Sequence, residues 1–117
     1  MNMSNDCIFC KIIAGEIPSA KVWEDDCCYA FRDIAPQAKT HVVLVPRQHV
    51  RDIAEAGEAL DDRLLAHMIR TAGKIARQEN LNGGFRVISN CGPDACQSVP
   101  HWHIHILGGE QLSEKMA

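Results

Sequence analysis

His101, His103 and His105 stand at alternate positions in His101-Trp102-His103-Ile104-His105-Ile106-Leu107, with a bulky apolar residue in each gap. Alternation of this kind marks a strand with two unlike faces, on which residues i, i+2 and i+4 point the same way at intervals of ~6.6 Å. Trp102, Ile104 and Ile106 are therefore expected in the core, and the three imidazoles on the opposite face. Imidazole changes charge near neutrality and can attack as a nucleophile, move a proton or hold a metal. The spacing suits a nucleotide's phosphate and its reaction partners, and it equally suits a three-histidine zinc site. A merely polar strand face is the plain alternative, although Thr, Lys or Glu would serve there as well.

Cys7 and Cys10 form a second group, a CxxC pair at the start of a predicted short helix. Two thiolates at that spacing suit a metal; the same pair at a helix start also suits redox chemistry, because the helix end lowers a thiol pKa. No thioredoxin-like βαβ pattern surrounds the pair, which weighs against the redox reading. Cys27 and Cys28 are adjacent in a strand-like run and point to opposite sides, so one belongs to the core.

The elements that must position these groups are short. The helix begun at Cys7 is stopped by Gly15 and Pro18. Lys21–Glu24 and Cys27–Arg32 are strand-like runs separated by Asp25-Asp26, a connection short enough for a hairpin. Thr40-His41-Val42-Val43-Leu44-Val45-Pro46 is the most strand-like stretch and is expected at the centre of the sheet. From Glu58 to Glu79, Leu60, Leu64, Met68, Ala72, Ile75 and Ala76 recur at spacings of three and four. That pattern predicts one long amphipathic helix of ~33 Å, ended by Asn82-Gly83-Gly84. Phe85–Ser89 and Trp102–Leu107 complete the strands, joined by the polar loop Asn90–Pro100. The fold class is α+β, with a mostly antiparallel sheet.

The totals narrow the setting. A chain of 117 residues with 46% hydrophobic and 23% charged residues is expected to form a single domain over 1–117, with its core over about 5–110. A formal net charge of −3 without a basic block argues against a nucleic-acid polymer as partner and fits a nucleotide-sized ligand. The start shows no basic region followed by a long apolar run, and no segment approaches a membrane span, so no membrane partner and a cytoplasmic location are expected. In that compartment the six cysteines are expected to be reduced, metal-bound or buried.

The histidine strand followed by Leu107-Gly108-Gly109 resembles the histidine triad (HIT) superfamily, specifically its Hint branch of purine nucleoside phosphoramidase-like proteins. The resemblance extends through Cys7-Ile8-Phe9-Cys10-Lys11-Ile12-Ile13, Glu16-Ile17-Pro18, Ala30–Ala38, Thr40-His41, Pro46-Arg47-Gln48-His49, Gly92 and Gln97-Ser98-Val99. It implies a five-stranded sheet with one long and one short helix, a homodimer joining two sheets into ten strands, and a purine nucleotide site in each subunit. The implied reaction is attack by His103 on the α-phosphorus, giving a nucleotidyl-histidine that water hydrolyses. Substrates would be AMP or GMP joined to an amine, including aminoacyl or lysyl adenylates. The alternatives are a dinucleoside polyphosphate hydrolase and a nucleotide-binding interaction protein with incidental turnover.

By the same resemblance, the His101 carbonyl fixes the His103 tautomer, His105 supports a phosphate oxygen, and Ser98 delivers a proton to the leaving group. His41 matches a proton-relay histidine. Asp33 would accept from the ribose hydroxyls, with Asn90 near ribose or phosphate, and Gln97 and Val99 along the phosphate pocket. Phe9, Ile12, Phe31 and Ile34 would wall the base. Zinc-binding relatives imply Cys7, Cys10, His49 and His101 as a closed, structural Zn²⁺ set, with no cofactor needed for the chemical step. Two departures bear on the leaving group: Cys96 stands where many relatives have glycine, and the tail Glu110–Ala117 lacks the Trp-Pro ending of some relatives.

Overall fold

The computed structural model describes residues 6–116. Its elements run α1 Ile8–Ile13, β1 Lys21–Glu24, β2 Cys28–Arg32, β3 Thr40–Pro46, α2 Ile53–Ala59, α3 Asp62–Gln78, β4 Phe85–Ile88 and β5 Ile104–Gly108. The strands form one sheet in the order β1-β2-β3-β5-β4, with every neighbouring pair antiparallel. The apolar run Thr40–Pro46 is the central strand, as expected for a strand covered on both faces.

Those two faces bury different sets. On one, Cys28, Ala30, Val42, Leu44, Trp102, Ile104 and Ile106 pack with Met68, Ala72, Ile75 and Ala76 of α3. On the other, Tyr29, Phe31, Val43 and Val45 pack with Cys7, Phe9 and Ile12 at α1. The period-two pattern in β3 thus sends Val42 and Leu44 to the helix side and Val43 and Val45 toward the site.

The single long helix expected from Glu58 to Glu79 is instead two helices. Leu60 is the extended C-cap of α2 and is buried in the core, while the Asp61 side chain accepts from the Leu64 amide at 2.8 Å and starts α3. An aspartate that satisfies an orphan amide at a helix start outcompetes continuation through the same residues. Asp52 starts α2 the same way, accepting from the Glu55 amide at 2.9 Å. At the far end Asn80 adopts φ +60°, and the Leu81 amide closes back on the Ala76 carbonyl at 2.9 Å, so α3 stops before the expected glycines. Among the described residues, no helix is long and apolar enough to cross a membrane.

The histidine strand is shorter than its alternation implies. β5 starts at Ile104, because the Trp102 amide donates to the Val50 carbonyl at 2.7 Å and the His101 amide to the Val99 carbonyl at 2.9 Å rather than to the ladder. The alternation nevertheless persists: Trp102 joins the α3-side core, while the His101 and His103 rings lie in edge contact with Phe9 of α1.

Candidate active site

His103 is buried, with 4% of its surface exposed. Its Nδ1 lies 2.7 Å from the His101 carbonyl, which accepts only, so Nδ1 carries the proton and Nε2 keeps its lone pair. Burial lowers the ring's pKa from 6.5, against the opposing pull of the His101 carbonyl and the Asp33 charge. A neutral imidazole with a free nitrogen is the form able to attack an electrophile. The Phe9 ring meets His103 edge-on at 5.0 Å and Phe31 at 5.5 Å between centroids, and Ile12 completes that apolar wall.

His105 and His41 meet through Nδ1 and Nε2 at 2.9 Å, and Asp33 Oδ2 lies 3.4 Å from His41 Nε2 and 4.0 Å from His105 Nδ1. Burial, with the neighbouring His103 and His41 rings adding to it, pushes His105 down to about 4 against the pull of Asp33. Burial lowers His41 as well, again opposed by Asp33. His41, His105, Asn90, Ile88, Leu107 and Cys96 line an open cavity of about 660 Å³. Cys96 holds φ +57°, a conformation that glycine adopts at lower cost.

Other expected site residues are distributed differently. Gln97 spends its side chain within the loop: Oε1 accepts from the Gly92 amide at 2.9 Å, and Nε2 donates to the Arg51 and Val99 carbonyls at 2.8 and 3.0 Å. Ser98 is exposed and, with Val99, His49 and Cys7, lines a second recess of about 370 Å³ rather than the cavity of His105. Ile34 is fully exposed. Sequence reasoning missed Gln37, whose amide bonds to His41, and Arg86, which donates to the Ser113 carbonyl at 2.6 Å and brings the tail to the cavity wall. Neither left a local signal, since Gln37 acts through its main-chain amide and the Arg86 guanidinium meets a main-chain carbonyl far along the chain.

The second constellation closes beside the first. Cys7 Sγ, Cys10 Sγ, His49 Nδ1 and His101 Nδ1 all lie within 4.8 Å of one another. Individual separations are 3.3 Å for Cys7–His101, 3.4 Å for Cys10–His49, 3.5 Å for Cys10–His101 and 3.1 Å for His49–His101. A tetrahedral Cys₂His₂ zinc shell has ligand edges of ~3.3–3.8 Å; the three cysteine–histidine separations fall in that range and the His49–His101 separation is slightly short of it, so the donor set fits that ion with a small adjustment. His101 Nε2–H donates to the Pro46 carbonyl at 2.9 Å, which turns an unprotonated Nδ1 to the cluster, as an outer-shell bond does for a ligating histidine. Burial, together with the Cys7 thiol, pushes Cys10 up to about 12, opposite to the lowered thiol of a redox CxxC.

The model of the HIT domain matches residues 14–112. The chain belongs to the HIT domain family. A relative within reach of this HIT chain is the 14 kDa zinc-binding protein of Brassica juncea, 47% identical over 112 residues that cover 92% of this chain and 96% of that protein. Adenylylsulfatase HINT1 of Arabidopsis thaliana is 47% identical over 110 residues, covering 91% of this chain and 73% of that one. The crystal structure of a HIT family hydrolase from Legionella pneumophila Philadelphia 1 superposes with a TM-score of 0.89 at 41% identity, covering 95% of this HIT chain and 99% of that chain.

Proposed function

We propose that this protein is a hydrolase of nucleotidyl conjugates that cleaves purine nucleoside phosphoramidates, including aminoacyl and lysyl adenylates, through a nucleotidyl intermediate on His103. The observation that carries the reading is the His103 ring: neutral, held by the His101 carbonyl, beside the Phe9–Phe31 wall and with no hydrogen bond to Nε2 among the described residues. Nε2 attacks the α-phosphorus, the bond from phosphorus to nitrogen breaks, and the amine leaves with a proton. Water then hydrolyses the phosphohistidine and frees the nucleoside monophosphate.

His105 donates to a phosphate oxygen, where a fixed donor is worth several kcal/mol as charge develops. Asp33 takes the ribose hydroxyls, Asn90 supports ribose or phosphate, and Phe9, Ile12, Phe31 and Ile34 flank the base. Gln97 and Val99 shape the phosphate end by holding the loop before His101. Ser98, whose hydroxyl makes no hydrogen bond among the described residues, supplies the leaving group's proton. The neighbour named a hydrolase is in line with hydrolysis, and the relative named an adenylylsulfatase with cleavage at an adenylyl group.

Cys7, Cys10, His49 and His101 would hold zinc, in line with the relative named a zinc-binding protein. With all four positions filled by protein, the ion would supply structural crosslinking of α1 to the histidine segment and no reaction step. The homodimer is supported by β4, a sheet edge that leaves Phe85 and Val87 44% and 46% exposed.

The deciding assay compares turnover of adenosine phosphoramidate and diadenosine polyphosphate by wild type and His103→Ala. Phosphoramidate turnover that His103→Ala abolishes, with AMP affinity kept within ~10-fold, is expected because a nucleophile contributes mainly beyond ground-state binding. Preference for the diadenosine compound would move the reading to the polyphosphate hydrolases. Turnover of neither would leave a nucleotide-binding protein.

A further inference from the structure

His41 has both ring nitrogens engaged. Nδ1 lies 3.0 Å from the main-chain N of Gln37, a group that has a proton to give and no lone pair to offer. Nδ1 of His41 must therefore be the acceptor, and the neutral ring carries its proton on Nε2. That N–H meets His105 Nδ1 at 2.9 Å and, less closely, Asp33 Oδ2 at 3.4 Å. Accepting on Nδ1 leaves His105 with its own proton on Nε2, and the His105 ring lines the cavity.

We infer that the main-chain amide of Gln37 sets the tautomer of His105 through His41, so that the cavity receives a neutral N–H donor and His41 is a positioning residue rather than a proton shuttle. The inference rests on the hydrolase reading only for its catalytic consequence; the tautomers follow from the hydrogen bonds. A shuttle through His41 would need a second proton site at Nδ1, and that atom already accepts a hydrogen bond from an amide N–H that does not transfer its proton. The same bond decides what the Asp33, His41 and His105 cluster is. Its donor atoms lie within 4.8 Å of one another, a spacing that would otherwise suit a divalent cation. A cation on His41 Nε2 would force the ring's proton onto Nδ1, against the Gln37 amide, so the cluster is a hydrogen-bonded chain and not a second metal centre.

The loop is built to hold that amide still. Asp33 Oδ1 accepts from the Ala35 amide at 2.8 Å, Gln37 Nε2 donates to the Ala35 carbonyl at 3.0 Å, and the Asp33 amide donates to the His41 carbonyl at 3.0 Å. Pro36 fixes one backbone angle immediately before Gln37. The ligand class follows from the donor: a group facing His105 must bring an acceptor oxygen, as a phosphoryl group does, and an N–H or ammonium group there would meet like polarity.

Long-range proton–nitrogen NMR of the imidazoles in the wild-type protein tests the tautomers directly. Proton-bearing Nε2 and bare Nδ1 are expected for both His41 and His105; a His105 protonated on Nδ1 overturns the inference. Gln37→Pro removes the amide proton, whereas Gln37→Ala keeps it. Both tautomers should survive in Gln37→Ala, and kcat for adenosine phosphoramidate should fall ~10-fold further in Gln37→Pro with KM changed less. Equal kcat in the two variants, with wild-type imidazole spectra in both, would also overturn it. Absence of turnover in the wild type would remove the hydrolase reading and leave the spectra to judge the tautomers. If Gln37→Pro does not fold, the wild-type spectra still decide.

Discussion

His101 and His103 are joined by a 2.7 Å hydrogen bond from the His103 Nδ1–H to the His101 carbonyl, while the His101 ring turns away to meet Cys7 Sγ at 3.3 Å. One residue therefore touches the metal-ligand set with its ring and the nucleophile with its main chain. A change at the thiols should be felt at phosphorus without any group of the metal set touching substrate.

Cys7→Ser, or removal of metal by a chelator, is expected to lower the melting temperature and to reduce kcat by ~10–100-fold, the usual range for losing a group that orients a site. AMP affinity should change less, because Phe31 and Asp33 lie outside the α1 segment that the ion would crosslink. Elemental analysis of protein purified without added metal should find about one zinc per chain. Zinc-free protein with full activity and reactive Cys7 and Cys10 would restore the redox interpretation.

The pH dependence follows from two lowered imidazoles. Activity needs neutral His103 and neutral His105, whose pKa values lie below 6.5 and at about 4. The acid limb of kcat/KM should therefore be centred below 6.5. Stability should follow the same window. The unfolded histidines take up protons first, so the unfolded state gains as pH falls from 6.5 toward 4, and stability falls with it until the folded rings also protonate. An acid limb centred at or above 6.5 would contradict the buried, neutral assignment.

The β4 edge supplies a test of assembly. Val87→Lys places a charge on an exposed apolar position of the edge strand, where it should cost the monomer little and oppose pairing with a second edge. Light scattering after size exclusion is expected to show wild type at twice the chain mass and the variant shifted to monomer. An unshifted dimer would locate the interface elsewhere.

Asp25 predicts a purely structural loss. Its carboxylate accepts from Trp23 Nε1, the Cys27 and Cys28 amides and His67 at 2.7–2.9 Å, tying the β1–β2 hairpin to α3. Burial opposes the charged form, but those donors together outweigh it and hold the carboxyl well below the usual range. Asp25→Ala should cost about 2 kcal/mol or more in urea unfolding, since hydrogen bonds to a charged group are the stronger kind. KM for nucleotide conjugates should stay at the wild-type value. In wild type the stabilisation is present above the unfolded carboxyl pKa and is lost as pH falls through the lower folded one.

The residue types and their periods carried much of this architecture. Alternating His and apolar residues at 101–107, the apolar run at 40–46, the Asp25-Asp26 connection and the CxxC at a helix start are local patterns, and the two faces and the hairpin follow from them. The break between α2 and α3 was also written locally, in Asp61, but the three-and-four spacing of apolar residues runs across it. Tertiary packing and loop geometry decided what no period encodes: which group each backbone N–H and carbonyl meets. Val50 takes the Trp102 amide and ends β5 early, Gln97 holds its own loop rather than facing the cavity, and the Gln37 amide selects the His41 tautomer. Side-chain pattern sets which way a residue faces; hydrogen-bond polarity at a site depends on partners that only the folded chain brings within 3 Å.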